Sequence, residues 1–299
     1  MKKTIVKISE GLGNQLFMYA HAYAFSQKMG YDLFVDSKSA YKKLKIRSFL
    51  LDHFMINIKY ADPLDIPDNF YKYINLKIDK KFDFLRKKKK FLIENKFRNK
   101  ITNYIDYTHF KYSDKVYIEG YFESEKYFQN YKTDITNQFQ VKNIKKDLLS
   151  VDPISLKNEN SVSIAIRQHR FSEKNNNMNN ISKSNTFVKN TVEYILNAVE
   201  FIKSKIHNPK FYVFSNDVTN LENLLNKNSF TFVNHTNNKA INDFYLSTLC
   251  KHFIVGPSTF HWWSAYLGLD KSKICICPPE HLKFSSNKDI LPSDWIKLS

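Results

Sequence analysis

Cysteine and long apolar runs are both scarce in this sequence, and their scarcity excludes two classes of protein. The three cysteines, Cys250, Cys275 and Cys277, are odd in number and irregularly spaced, which argues against a disulfide framework, and no His/Cys cluster completes a metal set. No window approaches about eighteen apolar residues, so we expect no membrane span. The charged stretch 1–15 is typical of a first strand and not of a signal peptide. We therefore expect a cytoplasmic protein.

Acidic residues are also scarce relative to basic ones. The chain has 46 Lys and Arg against 29 Asp and Glu, a net charge of +17. This excess is typical of AT-rich genomes, in which Lys, Asn and Ile are abundant, or it indicates an anionic partner: nucleic acid, an anionic membrane, or the two phosphates of a nucleotide sugar. Apolar residues make up 42% of the chain and aromatics 15%, so a substantial core is expected and wholesale disorder is excluded.

Two series of alternating strands and helices are indicated along the 299 residues. In the first, a strand, a tight turn, an apolar helix and a second strand are expected at 4–8, 11–14, 16–24 and 31–35. In the second, strands are expected at 163–166, 211–214, 253–255 and 274–276. Alternation of this kind predicts parallel sheets. We expect an α/β protein with two Rossmann-like domains, at 1–150 and 151–299.

Three further stretches have a less regular pattern. A helix is expected to begin within 119–128 and to continue past residue 135. The Asn-rich segment 174–185 is aperiodic and predicts a mobile loop. The basic runs 86–90 and 96–100 lie among aromatic residues. They indicate either a solvated face or an exposed insertion that contacts a membrane or a polyanion.

Four polar segments follow the expected strands: GLGNQ (11–15), IRQHRFSE (166–173), SND (215–217) and GPSTF (256–260). In open α/β sheets, ligands bind beyond the carboxyl ends of the strands, so the coincidence of all four is informative. The first segment lacks the third glycine of a dinucleotide fingerprint, because Leu16 stands there. This disfavours an NAD site with Asp36 on the ribose.

Arg167 directly follows a buried strand, and its planar, permanently charged fork suits the diphosphate of a nucleotide. A fixed guanidinium there would stabilise the departing nucleotide without a metal. The alternative is a structural ion pair. Arg170, three residues on, strengthens the interpretation as an anion site.

The other segments allow two interpretations each. Asn216 and Asp217 suit hydrogen bonds to a base or ribose, or form an Asx turn. Ser258 and Thr259 cap a helix, bind phosphate, or do both. In the N-terminal segment, Gly13, Asn14 and Gln15 either reach the ligand or belong to an ordinary tight turn.

Five longer stretches carry a family resemblance: 11–24 (GLGNQLFMYAHAYA), 47–54 (RSFLLDHF), 118–128 (IEGYFESEKYF), 211–217 (FYVFSND) and 243–267 (DFYLSTLCKHFIVGPSTFHWWSAYL). In them the chain resembles the bacterial α-1,2-fucosyltransferases of glycosyltransferase family 11, over nearly its whole length. The resemblance implies a GT-B fold with two Rossmann-like domains facing across a cleft. It further implies GDP-β-L-fucose as donor, inversion at the anomeric carbon, and neither metal nor other cofactor.

The resemblance also implies roles. Domain 1–150 would face the acceptor and 151–299 would bind the donor. Arg167 would hold the diphosphate, Asn216 or Asp217 would contact guanine or ribose, and Ser258 with Thr259 would contact phosphate. Gly13, Asn14, Gln15 and Arg170 complete the expected donor-binding set. The acceptor would be a galactose 2-hydroxyl of a surface-glycan precursor (O-antigen, capsule or lipo-oligosaccharide), free or lipid-linked. The enzyme would then work in the cytoplasm, in peripheral contact with the anionic inner membrane and without nucleic acid.

One departure from the family pattern affects the catalytic assignment. The family usually shows HxRRGDY after the strand, whereas this chain has AIRQHRF at 165–171. Arg167 is kept, but the Asp is lost, so His169 and Glu173 become the candidate general bases. The alternatives are a related transferase with another nucleotide sugar or linkage, a Rossmann oxidoreductase, and a non-enzymatic polyanion binder.

Overall fold

The computed structural model describes residues 2–41, 47–67, 69–94, 103–145, 149–173, 175–226, 228–235, 239–282 and 284–298. The chain forms two compact units: Met1–Lys142 with Ser285–Pro292, and Asn143–Phe284 with Ser293–Ser299. The boundary expected at residue 150 thus lies earlier, and 285–292 belongs to the first unit instead of the second. Hydrogen bonds explain this return, because Asp289 accepts from the Tyr104 amide at 2.8 Å and Ser285 donates to Glu123 at 2.5 Å.

The first unit is built on a four-stranded parallel sheet of order β2-β1-β4-β3. Its strands are β1 (Lys3–Lys7), β2 (Asp32–Asp36), β3 (Lys89–Ile93) and β4 (Tyr112–Glu119). Its helices are α1 (Leu12–Met29), α2 (Phe70–Lys81) and α3 (Lys132–Gln138). The predicted strand–helix–strand start is confirmed, since α1 connects two strands that pair in parallel from Lys3↔Asp32 to Lys7↔Asp36.

Helix α1 begins earlier than the sequence predicts. Gly11 is its N-cap and Leu12 its first residue, so 12–14 form the first helical turn and not a separate tight turn. The helix ends at Met29 and is capped by Gly30, whose φ of 69° favours glycine. Thirteen of its residues are buried, which explains the apolar and small side chains on most of its faces.

The second unit is built on a six-stranded parallel sheet of order β10-β9-β8-β5-β6-β7. Its strands are β5 (Ser161–Ile166), β6 (Lys210–Ser215), β7 (Phe230–Val233), β8 (His252–Ile254), β9 (Cys275–Cys277) and β10 (Ile296–Lys297). Its helices are α4 (Pro153–Asn158), α5 (Met178–Lys205), α6 (Leu221–Leu224), α7 (Lys239–Thr248) and α8 (Thr259–Tyr266). The predicted second α/β series is confirmed. The fully buried β5 lies in the middle of the sheet.

Two local expectations are wrong. The Asn-rich segment is not a loop throughout, because Asn177 caps α5 by accepting from the Asn180 amide at 2.9 Å, and helix follows from Met178. The helix expected within 119–128 is absent from these described residues. The strand β4 ends there instead, at Glu119, and short 3₁₀ turns lead to α3. No helix in the described ranges combines the length and hydrophobicity needed to cross a bilayer.

Candidate active site

The carboxyl ends of three neighbouring strands of the second unit meet at one edge of the sheet. Strand β5 pairs with β6 up to Ile166↔Ser215 and with β8 up to Ile164↔Ile254. The next residues, Arg167 after β5 and the segments SND and GPSTF after β6 and β8, therefore lie side by side. The chain adds β6 and β7 on one side of β5, then β8 to β10 on the other. Such a reversal of strand order opens the crevice in which α/β proteins bind ligands.

Gly256 allows the ends of β5 and β8 to approach closely. A Cβ atom at this position would lie 2.0 Å from the carbonyl oxygen of Ala165 and 2.5 Å from Nδ1 of His261. No other residue fits without displacement of the backbone. The glycine of GPSTF therefore brings the start of α8 beside Arg167.

Ser258 is the N-cap of α8. Its hydroxyl accepts a hydrogen bond from the His261 amide at 3.3 Å, and Thr259 is the first helical residue. The positive end of the helix dipole at this point favours the binding of an anion. The capping interpretation of Ser258 is confirmed, whereas the phosphate contacts of Ser258 and Thr259 stay predictions.

Arg167 is partly exposed and paired. Its side chain is 31% exposed, and its Nη2 donates to both carboxylate oxygens of Glu173 at 3.0 Å. The ion-pair alternative is thus realised, but with a single nitrogen. Within the described ranges, Nη1 and Nε of Arg167 have no hydrogen-bond partner. The guanidinium consequently keeps donors for a second anion.

Glu173 is positioned by the same loop. Its amide donates to the carbonyl of His169 at 2.9 Å, and its side chain is 21% exposed. Both oxygens already accept from Arg167, so the carboxylate balances the guanidinium charge. Its role as general base stays a prediction.

His169 and Asp217, predicted for different tasks, form a pair. Nε2 of His169 lies 3.0 Å from Oδ2 of Asp217, and the backbone of His169 is left-handed, with φ 58°. Hydrogen bonds from Thr219 and from His169 lower the pKa of Asp217, so the carboxylate is ionised and only accepts. Nε2 is therefore the donor of this bond, so the neutral form of the ring has its lone pair on Nδ1; the side chain is 51% exposed.

Asn216 and Gln168 clamp the two loops together. Oδ1 of Asn216 accepts from the Gln168 amide at 2.8 Å, and its Nδ2 donates to the Gln168 carbonyl at 3.2 Å. The Gln168 side chain donates to the carbonyls of Asp217 and Thr219, at 2.6 and 3.0 Å. Both ends of the Asn216 amide thus have a structural role, and its contact with guanine or ribose stays a prediction.

Arg170 fastens the loop after β5 to the loop after β8. Its Nη1 donates to the carbonyl of Pro257 at 2.8 Å, and its guanidinium lies 4.8 Å from the ring centroid of Phe187. This geometry gives it a positioning role. A direct donor contact remains untested.

His261 is a site neighbour that sequence reasoning missed. Burial, and then the charge of Arg167, lower its pKa from 6.5 to about 3, so the ring is neutral. Its Nδ1 is buried with no hydrogen-bond partner in the described ranges. The only signal in the sequence was its place three residues after the cap of α8.

Three predicted residues of the GLGNQ segment, Gly13, Asn14 and Gln15, lie in the first turn of α1 in the first unit. Gly13 is buried, and Asn14 donates its amide to the Gly11 carbonyl at 3.0 Å. Gln15 is fully buried, and its side-chain amide donates to the carbonyls of Glu10 and Ser48. It also accepts from the Leu50 amide at 2.9 Å. The structure thus gives Gln15 a cross-linking role, different from the donor contact that the sequence predicts.

Asp36 is occupied in a way that opposes a ribose contact. Its two oxygens accept from the amides of Lys38 and Ser39, the hydroxyl of Ser39 and the hydroxyl of Tyr117. These four bonds use the capacity of the carboxylate. In the described ranges no group of three His, Cys, Asp or Glu side chains could hold a metal ion.

Two relatives from Escherichia coli match this chain over almost its full length. An α-1,2-colitosyltransferase is 24% identical over 310 residues, covering 100% of this chain and 99% of the relative. The O-antigen biosynthesis glycosyltransferase WbnK is 23% identical over 315 residues, covering 97% of this chain and 99% of the relative.

Two solved structures share the fold. A mutant of Arabidopsis thaliana FUT1 in complex with GDP has a TM-score of 0.57 at 16% identity, covering 95% of this chain and 72% of that one. The NodZ α-1,6-fucosyltransferase from Bradyrhizobium, soaked with GDP-fucose, has a TM-score of 0.50 at 12% identity, covering 89% of this chain and 93% of that one. They confirm the predicted α/β fold of two Rossmann-like halves. The model of glycosyl transferase family 11 matches residues 3–299, and the chain, a glycosyltransferase, belongs to that family.

Proposed function

We propose that this glycosyltransferase moves L-fucose from GDP-β-L-fucose to a galactose 2-hydroxyl of a surface-glycan precursor, with inversion and without a metal. One observation carries the proposal. The guanidinium of Arg167 lies at the point where strand order reverses, and it keeps N–H donors beyond its pairing with Glu173. A structural neighbour in complex with GDP and another soaked with GDP-fucose support the donor. The relative named for O-antigen biosynthesis supports the acceptor class.

The bond changes define what the site must supply. The acceptor oxygen forms a bond to the anomeric carbon as the bond from that carbon to the diphosphate breaks. Arg167 and the amides at the start of α8, beside Ser258 and Thr259, stabilise the negative charge that gathers on the departing GDP. Asn216 and Arg170 hold the loops that carry these groups.

The acceptor proton goes to a base, and His169 fits this task. Asp217 accepts from Nε2 and so directs the lone pair of Nδ1 outward, an arrangement common to catalytic carboxylate–imidazole pairs. Glu173 is the second candidate, but it would have to leave Arg167 first. In the first unit, Gly13, Asn14 and Gln15 would support the acceptor side through the loop that Gln15 holds.

The experiment replaces Arg167 by Ala or Lys and measures transfer with GDP-fucose and a soluble galactoside. We expect both variants to lower kcat/KM at least about 100-fold, because neither residue reproduces the planar fork. Lys203→Ala is the matched control, since Lys203 is an exposed cation of the same unit, paired with Glu200 on α5. Wild-type turnover in a folded Arg167→Ala variant would refute the assignment.

A second donor is favoured by one specific observation, the similarity to an α-1,2-colitosyltransferase. Colitose is L-fucose without its 3-hydroxyl, so the same diphosphate site would serve both. A panel of GDP-fucose, GDP-colitose and GDP-mannose, read by GDP release and by NMR of the product linkage, separates these donors. Faster turnover of GDP-colitose would replace fucose as the substrate while leaving the role of Arg167 intact.

The remaining rivals make opposite predictions. An oxidoreductase would bind a nicotinamide cofactor, yet Asp36 is already saturated. A polyanion binder would show steeply salt-dependent binding to nucleic acid and no sugar transfer.

The acceptor itself is the last part of the proposal. One relative is named for O-antigen biosynthesis, so we propose that the acceptor is a lipid-linked precursor at the cytoplasmic face of the inner membrane.

A further inference from the structure

Helix α2 carries an apolar stripe that faces solvent. Phe70, Ile74 and Ile78 are spaced four residues apart, so they lie on one helix face, and they are 70%, 38% and 50% exposed. Tyr71 borders this stripe at 79% exposure. None of the twelve residues of α2, all of them described, is buried. A surface helix normally turns such a stripe toward the core.

The opposite face of α2 is fixed to the unit and includes the half-buried Leu76. Lys80 forms an ion pair with Glu119, and its side chain is only 18% exposed. Lys72 donates to the carbonyl of Pro63 at 2.8 Å. These two lysine contacts and Leu76 thus lie on the inner side of α2, and the stripe of Phe70, Ile74 and Ile78 lies on the outer side.

The exposed apolar surface continues beyond the end of α2. Phe82, Phe84 and Leu85 follow the helix and are 47%, 70% and 68% exposed. We call Phe70, Tyr71, Ile74, Ile78, Phe82, Phe84 and Leu85 the α2 surface. Monomeric proteins rarely expose so many neighbouring apolar side chains, and such a patch usually marks an interaction surface.

The charges around the α2 surface are positive. Exposed lysines border it at positions 77, 81, 87, 88 and 90. The ammonium of Lys77 lies 4.6 Å from the ring centroid of Tyr73, and that of Lys81 lies 6.0 Å from the ring of Phe82. The carboxylates of Asp79 and Asp83 are both paired with Arg86, and Glu94 is buried. The outward side thus presents apolar side chains and ammonium groups, with its carboxylates engaged.

We propose that the α2 surface docks onto an anionic lipid bilayer. Aromatic and aliphatic side chains on a helix that lies flat enter the boundary of the acyl chains, while flanking lysines bind lipid phosphates. The positive charge around the α2 surface favours lipid over a protein partner. Any lipid phosphate of an anionic leaflet can pair with these lysines, whereas a protein would need carboxylates at matching positions. The basic run expected to make this contact supplies only part of the surface, and its second half, 96–100, lies outside the described residues.

The test is flotation of the full chain with vesicles of phosphatidylcholine, alone or with about 30% phosphatidylglycerol. We expect binding to the anionic vesicles, with at least about tenfold weaker partition into neutral ones and loss of binding near 1 M salt. The variant F70S/I74S/I78S should lose binding at least about tenfold, and K77A/K81A about thirtyfold. The control I154S/L269S removes two side chains that are each 64% exposed in the second unit, and it should bind as the parent does.

Three results would overturn the proposal: equal binding of the parent to both vesicle types, unchanged binding of both α2 variants, or equal loss in the control. Self-association that F70S/I74S/I78S abolishes, without vesicle binding, would assign the surface to a second copy of this chain. Vesicle binding is measured without substrate, so its failure is separate from that of the proposed transferase reaction. Turnover of a soluble galactoside should stay within about twofold of the parent in both α2 variants.

Discussion

Acidification should destabilise the first unit through one buried histidine. His21 lies in α1 at 3% exposure, and neither ring nitrogen has a hydrogen-bond partner in the described ranges. The imidazole stacks on Phe122, with 3.8 Å between ring centroids, and meets the edge of Tyr127 at 4.9 Å. Burial lowers the pKa of His21 from 6.5 to about 3, although Asp106 opposes the shift.

The sign and size of the effect follow from proton linkage. The unfolded chain protonates His21 near pH 6.5 and the folded chain only near pH 3, so the unfolded state binds more protons between these values. The free energy of unfolding therefore falls as the pH drops through this window. The slope is about 1.4 kcal/mol per pH unit, or roughly 5 kcal/mol over the whole window.

His21→Leu tests this reasoning, because leucine has a similar volume and cannot be protonated. Urea unfolding, followed at several pH values between about 7 and 5, gives the free energy of unfolding of each protein. Over this range the difference between variant and parent should change by roughly 2 kcal/mol in favour of the variant, because the slope approaches its full value of about 1.4 kcal/mol per pH unit only below about pH 6. His281→Leu, at an exposed position, should run parallel to the parent. Parallel curves for parent and His21→Leu would refute the burial argument, whatever constant offset the lost ring contacts cause.

Three further outcomes are expected. Glu173→Gln releases Arg167 and removes a negative charge from the proposed diphosphate site. GDP should therefore bind roughly three- to tenfold more tightly by calorimetry, and kcat should stay within about threefold of the parent. A loss of kcat beyond about 100-fold would instead identify Glu173 as the base. His169→Ala should lower kcat about 10²–10⁴-fold at an unchanged KM for the donor, and an unchanged kcat would exclude this imidazole. Gly256→Ala places a Cβ atom 2.0 Å from the Ala165 carbonyl oxygen and should lower Tm by more than about 5 °C. Gly11→Ala, with no atom within 4 Å of its new Cβ, is the matched control and should change Tm little.

The strand ends could be predicted from the sequence because their signal is local. Strand β5 is a short apolar run that is buried throughout, and Arg167 follows it directly. The place of Arg167 at the edge of the sheet follows from that run alone. The expectation of two parallel sheets rested on the same kind of local pattern, and it is confirmed.

The pairings within the site could not be predicted because they depend on register between distant segments. His169 meets Asp217 only because β5 and β6 pair so that Ile166 lies opposite Ser215. No spacing in the sequence encodes that alignment. The burial of Gln15 is of the same kind, since its partners at Ser48 and Leu50 belong to a loop far along the chain.

The departure from the family pattern after β5 is best understood through its neighbours in space. Ala165 stands where the family motif has a histidine, and it lines the same small cavity as His261. The imidazole of His261 is neutral and close enough to Arg167 for that charge to lower its pKa. An imidazole thus lies near the guanidinium of Arg167, but it comes from α8 instead of β5. A larger side chain at position 165 would extend into the cavity that Ala165 shares with His261 and would have to displace that ring.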